Sequence, residues 1–270
     1  MIKLEHVVLA SPEQMEFIIE GMRNAKNSWD RSDSYIDRPN ANCNGQSGDP
    51  FYVLGDNDHS LMQRLSKAGT DHRKFMRMMP VYVRITAPLY WWKEFDTYKI
   101  GTVANSCSTM HKIADKEFTL EDFSCEHLGV TVPAELNDGI EVFQNLWIES
   151  LKRTIEDLNI ARCSYIREQN ADLKKKYWWQ LIQLLPSSYN QTRNVMMNYE
   201  VLANIYKSRN NHKLDCWREF CKWIETLPYS ELIVGDNTNE EMVNVYGQLV
   251  PKKDMVNGGN SSDAVFNGEI

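Results

Sequence analysis

The chain has 270 residues, of which 42% are hydrophobic and 25% are charged, and these values are ordinary for a globular protein. Its 37 acidic side chains outnumber its 30 basic ones, which gives a formal net charge of −7. A general nucleic-acid binder needs a basic surface that displaces counterions from phosphates, so this balance argues against DNA as a partner but leaves a small anionic ligand open.

The remaining totals suit a cytoplasmic protein of one large domain. The first residues lack a basic segment followed by an apolar one, so we expect no signal peptide. No apolar run approaches the roughly 20 residues that cross a bilayer, so we expect no membrane partner. The six cysteines are scattered without Cys-x-x-Cys pairing, which is typical of reduced thiols in a chain of this length.

The first elements are a strand and a helix. Residues 2–9 are rich in β-branched and aliphatic side chains and predict a strand. Ser11, Pro12 and Gln14 then combine an N-cap, a first-turn proline and an N3 glutamine, which predicts the start of a helix. Residues 32–49 are polar and lack hydrophobic periodicity, as is typical of a long functional loop.

A second helix and strand follow this loop. Residues 58–68 predict a short helix that Gly69 ends. Residues 81–86 alternate between apolar and polar side chains, which predicts a half-buried strand that Pro88 ends. A tryptophan-rich helical segment follows at residues 90–95.

Helices dominate the second half of the sequence. Apolar side chains at three- and four-residue steps predict a long helix over residues 140–158. Further helical patterns cover residues 174–185, 188–207 and 214–227. Residues 251–270 have no apolar face and predict a mobile tail. Strands early and helices later predict a single domain of the α+β or α/β class.

Several motifs with other chemistry are absent or weak. The sequence has no glycine-rich phosphate loop, no His-Glu-x-x-His motif and no paired cysteines that would form a metal site. Cys107 could act as a nucleophile, but nothing in the sequence supplies its base, which favours a small buried thiol. The basic run at residues 174–176 follows Asp172 in a helical pattern and is typical of a solvated helix face.

Two tryptophan pairs, at residues 91–92 and 178–179, could stack a base or a flavin ring. Adjacent residues on an α-helix point about 100° apart, so at most one member of each pair can face a given site. We take Trp92 as a candidate for contact with a cofactor.

One spacing pattern carries a resemblance to a known family. Leu-Pro at residues 185–186 is followed by Asn198, Asn204 and Arg209, with His212 just beyond. The pattern resembles that of the flavin-dependent thymidylate synthases. These enzymes have a Leu-Pro, an Asn that opens an N-x-R motif, a second polar residue six positions on, and an Arg that closes the helix.

The upstream half resembles the same family. Residues 65–72 are similar to the family's helix that ends in Gly-His. The next strand leads through the aromatic helix to Asn105, Ser106 and Ser108, at the position of the family motif R-H-R-x-x-S-x-N-E-x-S-x-R. The resemblance covers about residues 1–230.

The resemblance implies an α+β fold in which a small sheet packs with long helices in a single domain. That domain would span residues 1–230, and residues 231–270 would form a C-terminal extension and mobile tail. It also implies a homotetramer, because the family shares its active sites between subunits.

Most of the charged residues in the family's motifs are replaced by other residues in this sequence. Tyr98, Lys99 and Ile100 stand where the family has Arg-His-Arg, and Glu200 stands where it has the Arg of N-x-R. In the family these residues hold the flavin, the phosphate and the uracil ring. Each lost charge-assisted contact costs about 1.5–3 kcal/mol, so losing several would abolish micromolar binding unless they are replaced. Glu200 would add negative charge near an anionic base.

The resemblance and the remaining cations together define the candidate site. The nucleotide-binding candidates are Lys99, Asn105, Ser106, Ser108, Arg193, Asn198, Glu200 and Arg209. The candidates for contact with FAD, the cofactor that the resemblance implies, are Trp92, Asn204 and His212. We assign no catalytic residue and no metal ligand.

Three hypotheses follow. The favoured one is a repurposed binder of a nucleotide or related small anion, as phage and mobile-element chains often carry, which sequesters or modifies its ligand without standard thymidylate synthesis. The second is an active FAD-dependent enzyme that methylates dUMP with methylene-tetrahydrofolate and NADPH, with Lys99 replacing the motif's His. The third is a structural homo-oligomer.

Overall fold

The structure, a computed structural model, describes residues 2–39, 48–129, 146–235, 242–245 and 248–251. The strands are β1 Lys3–Leu9, β2 Tyr35–Asp37, β3 Phe51–Val53, β4 Pro80–Pro88, β5 Val103–Ser106, β6 Asn190–Asn198, β7 Met242–Val245 and β8 Gln248–Pro251. The α-helices are α1 Pro12–Arg23, α2 Asp56–Lys67, α3 Phe75–Met78, α4 Leu89–Phe95, α5 Thr109–Lys112, α6 Leu146–Arg167, α7 Ala171–Leu184, α8 Tyr199–Arg209, α9 Asp215–Glu225 and α10 Glu231–Val234.

The central element is a four-stranded antiparallel sheet with the order β1-β4-β6-β5. Strands β4 and β6 pair over all 9 residues of each, from Pro80 opposite Asn198 to Pro88 opposite Asn190. Two smaller antiparallel pairs, β2-β3 and β7-β8, stand apart from this sheet.

One face of the sheet is buried beneath helices. Val81, Val83 and Ile85 of β4 are at most 2% exposed and belong to a core with side chains of α1, α4, α8 and α9. Tyr82, between two of them, is 47% exposed on the other face. The alternation in the sequence therefore predicted this strand correctly, because successive side chains of a strand point to opposite faces.

The tryptophan-rich helix α4 places its aromatic side chains Trp91, Trp92 and Phe95 in the core. Trp91 and Trp92 are 0% and 1% exposed, and Trp91 packs against Phe95 and Trp217. The indole Nε1 of Trp92 donates to the carbonyl oxygen of Gln191 at 2.9 Å. Trp92, expected to face a cofactor, therefore packs in the core, because α4 is enclosed between the sheet and α9.

A second, smaller core joins the helical hairpin α6–α7 to the segment that follows α5. Leu151, Ile155 and Leu158 of α6 pack with Leu181 of α7 and with Phe118. The predicted long helix is present as α6, and residues 140–145 of that prediction lie outside the described residues. Among the described helices, none is long and apolar enough to cross a membrane.

The helix predicted over residues 188–207 is wrong in its first half. Residues Asn190–Asn198 form strand β6, and only Tyr199 onwards is helical. The first five residues of the run are polar, but β6 pairs with β4 along its whole length, and the Thr192 and Thr86 hydroxyls lie 2.8 Å apart across the two strands. Strand pairing therefore overrides the local pattern.

The polar loop predicted at residues 32–49 contains a short strand near its start. Strand β2 lies inside it and pairs with β3. Residues 40–47 lie outside the described residues, as do residues 252–270 of the predicted tail.

A buried ion pair anchors the start of this loop to the helices. Arg23 of α1 and Asp58 of α2 are 3% and 0% exposed, and Arg23 Nε lies 2.5 Å from Asp58 Oδ1. The other carboxylate oxygen accepts from the Ser32 and Ser34 hydroxyls, both at 2.7 Å. Burial alone would raise the pKa of Asp58, but hydrogen bonds from Ser34, Ser32 and Arg23 outweigh it and lower the pKa.

We predict that Asp58→Ala destabilises the fold by about 3–5 kcal/mol, because it leaves the guanidinium of Arg23 buried without its counter-charge. Urea unfolding at neutral pH measures the change. Asp56→Ala removes an exposed carboxylate from the first turn of the same helix and should cost no more than about 1 kcal/mol. Equal losses in the two variants would contradict the role assigned to the buried pair.

Candidate functional site

The predicted site residues lie along and beside α8. The connection from α4 to β5 runs over this helix: Arg209 Nε, at the end of α8, donates to the Tyr98 hydroxyl at 2.9 Å. Near the start of α8, a Cβ added to Gly101 would lie 3.1 Å from the Asn198 side-chain nitrogen. Gly101 has a φ of +78°, which favours glycine, so both its conformation and its close approach fix the connection here. Lys99 is exposed on this connection.

Arg209 is engaged by partners within the chain. Its Nη1 donates to Glu94 Oε2 at 2.8 Å, and the same oxygen accepts from Trp217 Nε1 at 2.8 Å. The guanidinium carbon lies 4.8 Å from the Trp217 ring centroid, within the range of a cation–π contact. The side chain is 19% exposed, so Arg209 braces α8 against α4 and α9.

His212 completes this cluster. Its Nε2 lies 2.9 Å from Arg209 Nη1, and its Nδ1 lies 3.2 Å from the backbone nitrogen of Leu214. A neutral imidazole accepts at only one ring nitrogen, and an arginine only donates, so at most one of the two contacts is a hydrogen bond in any one state of the ring. Both ring nitrogens thus face groups of the chain itself.

Glu200 forms the centre of a second cluster. Its side chain is 9% exposed, and its carboxylate accepts from Arg73 Nε at 3.3 Å and from Arg77 Nε. Arg73 Nη2 also donates to the amide oxygen of Asn204 at 3.3 Å. Burial would raise the pKa of Glu200, but the hydrogen bonds and charges of Arg77 and Arg73 outweigh it and lower the pKa.

The charge of this cluster differs from the expectation. We expected Glu200 to bring negative charge to the site, but two guanidiniums face its one carboxylate, so these three groups sum to +1. The side chain of Arg77 is 49% exposed, so part of this positive charge reaches the surface. The sequence does contain two arginines four residues apart, Arg73 and Arg77. It does not show that they pair with Glu200, because Glu200 lies more than 120 positions away.

The third group lies on strand β5 at the edge of the sheet. Asn105 pairs in register with Asn194, and Ser106 with Arg193. Asn105 and Ser106 are exposed, as is Cys107, which we had expected to be buried. The edge position of β5 explains this exposure, since only one side of the strand is paired.

Two further candidates have structural partners nearby. Arg193 Nη1 donates to Asp96 at 2.7 Å, and its guanidinium carbon lies 4.2 Å from the Trp92 ring centroid. The Ser108 hydroxyl caps α5 by accepting from the backbone nitrogen of His111 at 3.2 Å. Both residues thus stabilise the region around β5.

Asn198 is the N-cap of α8. Its side-chain oxygen accepts from the backbone nitrogen of Val201 at 3.0 Å, which satisfies one of the donors that a helix leaves unpaired at its start. Asn198 and Arg209 stand at opposite ends of α8, roughly 16 Å apart at 1.5 Å per residue. The predicted residues therefore form separate groups on one chain and not a common hollow.

Two cavities in the described part of the chain lie elsewhere. A cavity of about 440 Å³ and a shallower one of about 410 Å³ are each lined by other residues than the predicted ones. Within the described ranges, no group of three His, Cys, Asp or Glu side chains could hold a metal ion.

We predict that Asn198→Ala costs about 1 kcal/mol of stability through loss of the α8 cap. Asn170→Ala is the matched control, because Asn170 caps α7 through the backbone nitrogens of Asp172 and Leu173. Chemical denaturation should give similar losses for both variants. A loss of only a few tenths of a kcal/mol for Asn198→Ala alone would mean that this cap contributes little.

We predict that Glu200→Gln destabilises the fold by about 1–3 kcal/mol at neutral pH, since it removes the charge that two arginines share. A lowered folded-state pKa means that the stabilisation is present above the unfolded pKa of about 4.3 and is lost as pH falls through the folded pKa. Urea unfolding from acidic to neutral pH should show the two proteins converging in acid. Glu156→Gln, at an exposed position of α6, should show no such convergence, and parallel curves for Glu200→Gln would contradict the prediction.

No family model and no curated protein sequence matches this chain. Solved structures do match its fold. Thymidylate synthase X from Helicobacter pylori, with FAD and dUMP, aligns at 12% identity and a TM-score of 0.52 over 87% of this chain and 97% of that chain. The UMP/dUMP methylase PolB from Streptomyces cacaoi, bound with 5-Br dUMP, aligns at 14% identity and a TM-score of 0.52 over 84% of this chain and 89% of that chain. The α+β prediction is confirmed, and the chain has the fold of the flavin-dependent thymidylate synthases.

Proposed function

We propose that this chain is a divergent relative of the flavin-dependent thymidylate synthases that binds a nucleotide and does not carry out standard thymidylate synthesis. One observation carries the proposal: the fold matches, over most of the chain, two proteins whose structures hold dUMP or 5-Br dUMP. We further propose that the ligand is sequestered or modified, as in the phage-type relatives that the resemblance suggests.

Arg77 of α3 and Lys99, on the connection from α4 to β5, are the best candidates for contact with a phosphate. The side chain of Arg77 is 49% exposed and Lys99 is exposed, whereas the side chains of Arg209 and Arg193, which also pair with carboxylates, are only 19% and 15% exposed. Guanidinium groups offer forked, permanently charged donors to phosphate oxygens. Asp71 adds a negative charge beside Arg77, so the attraction for a phosphate would come from the exposed guanidinium of Arg77 itself.

The residues present do not fit FAD. Trp92 is buried, Asn204 accepts from Arg73, and both ring nitrogens of His212 face groups of the chain. Trp92 is thus closed to a flavin, and Asn204 and His212 already have partners within the chain. We therefore assign no flavin chemistry to the chain and no catalytic role to Lys99.

The separation of the candidate residues favours a site shared between subunits. On one chain they lie on the edge strand β5, at the start of α8 and at its end. Ile100, next to Lys99, is 94% exposed although it is aliphatic, and a subunit contact at this connection would bury its side chain. We propose that a homotetramer, as the resemblance implies, brings these groups together.

Titration calorimetry with UMP, dUMP and a panel of mono-, di- and cyclic nucleotides tests the proposal. We expect saturable binding of at least one nucleotide. Arg77→Gln should weaken it at least tenfold, since one charge-assisted contact contributes about 1.5–3 kcal/mol. Arg64→Gln makes the same chemical change at an exposed position of α2 and should leave the affinity unchanged. No binding across the panel, or equal losses in both variants, would refute the proposal.

The alternative of an active flavin enzyme is favoured by the FAD in the H. pylori structure. Incubation with FAD followed by gel filtration separates the two functions, because a flavin-binding protein elutes yellow. We expect a colourless protein. A stoichiometric yellow complex would favour the alternative, and light scattering on the same column gives the oligomeric state.

A further inference from the structure

A cavity of about 440 Å³ is lined by none of the residues of the candidate nucleotide site. It opens between the end of β1, the start of β4 and the turn that joins α9 to α10, with β3 along one side. Small-molecule sites in proteins commonly enclose about 300–1,000 Å³ and are mostly apolar. The cavity is therefore large enough for a small organic ligand.

The lining of the cavity is aromatic and uncharged. Phe51, Tyr52, Tyr199 and Tyr229 contribute aromatic rings, and four prolines contribute rigid apolar surface. Among the described residues that line it, none has a charged side chain. The Tyr199 hydroxyl is already used, because it donates to the carbonyl oxygen of Pro228. The surface offered to a ligand is thus largely carbon and aromatic faces.

The electrostatic surroundings disfavour an anion. Burial raises the pKa of Tyr52 to about 12, and the negative charges of Asp58 and Glu16 add to this effect. Burial likewise raises the pKa of Tyr199, with a contribution from Glu231. The phenols therefore remain neutral at physiological pH. A phosphate or carboxylate would find no oppositely charged side chain among the described residues that line this cavity.

The cavity wall contains a strained residue. Tyr229 has a φ of +56°, a left-handed conformation that is unfavourable for a residue with a bulky side chain. The conformation places its ring 6.4 Å from that of His59, and the Tyr199 hydrogen bond to the adjacent Pro228 holds the turn. Strained backbone of this kind clusters at ligand-binding sites, and glycine would relieve it.

We propose that this cavity binds an uncharged, planar aromatic small molecule, separately from any nucleotide. The wall is preformed, because Pro12 opens α1, Pro80 opens β4 and Tyr199 opens α8. An aromatic ligand can stack on the tyrosine rings and displace water from apolar surface. The inference does not depend on the proposed nucleotide function.

Two fluorescent probes with the same aromatic framework test the chemistry. N-Phenyl-1-naphthylamine is uncharged, and 1-anilinonaphthalene-8-sulfonate adds one negative charge. We expect the full chain to bind one molecule of the uncharged probe, saturably, and to bind the sulfonate at least tenfold more weakly. Absence of saturable binding of the uncharged probe, or equal affinity for the two probes, would overturn the proposal.

Variants at the cavity wall locate the binding. Tyr229→Gly should weaken binding of the uncharged probe at least tenfold without lowering the thermal unfolding temperature, because glycine relieves the backbone strain. Tyr229→Phe keeps the ring and should keep the affinity. Ala10→Phe fills the cavity from another wall and should also weaken binding, which keeps the test decisive should Tyr229→Gly fail to fold.

Tyr82→Ala removes an exposed ring from the outer face of the sheet and should leave probe binding unchanged. If Tyr82→Ala abolishes binding while the cavity variants keep it, the probe binds the outer sheet face and the proposal is wrong. Saturating dUMP should not displace the probe, and displacement would refute the separation of the two sites. Failure of nucleotide binding alone leaves the probe result, and this inference, intact.

Discussion

The antiparallel pairing of β4 with β6 is the constraint on which the rest of the structure depends. Because Pro80 pairs with Asn198, the start of β4 lies beside the end of β6. The helix before β4 therefore meets the helix after β6, and this is why Arg77 reaches Glu200 across 123 positions of sequence. A one-residue slip would turn the buried side chains of Val195 and Met197 toward solvent, so the register is strongly specified.

Helix α8 carries an acidic residue near its start and a basic residue at its end. Glu200 lies in its first turn and Arg209 in its last, which are the favourable ends for each sign of charge in the field of the helix dipole. Each is paired with groups on other elements: Glu200 with the arginines before β4, and Arg209 with Glu94 of α4. A buried carboxylate without partners would be strongly destabilising. The negative charge of Glu200 is therefore compensated by ion pairs with Arg73 and Arg77 of the same chain.

Local signals in the sequence predicted much of the fold but little of the site. The Ser11 capping box and the alternation in β4 are local, and both are present in the structure. Strand β6 was missed because its first five residues are polar and its conformation is imposed by pairing with β4. Trp92 was misplaced because its burial depends on α9, more than 100 residues away. The arginines around Glu200 were missed for the same reason: no local pattern records a contact between distant segments.

The first turn of α8 is where the two candidate binding regions meet. Tyr199 lines the apolar cavity, and the next residue, Glu200, faces the arginine cluster; adjacent residues of a helix point about 100° apart, so one turn serves both regions. This turn is fixed to β4, because the backbone nitrogen of Tyr199 donates to the carbonyl oxygen of Met79 at 3.2 Å. Asn198 caps the same turn. Because these two hydrogen bonds hold the turn in place, the two regions should bind their ligands independently.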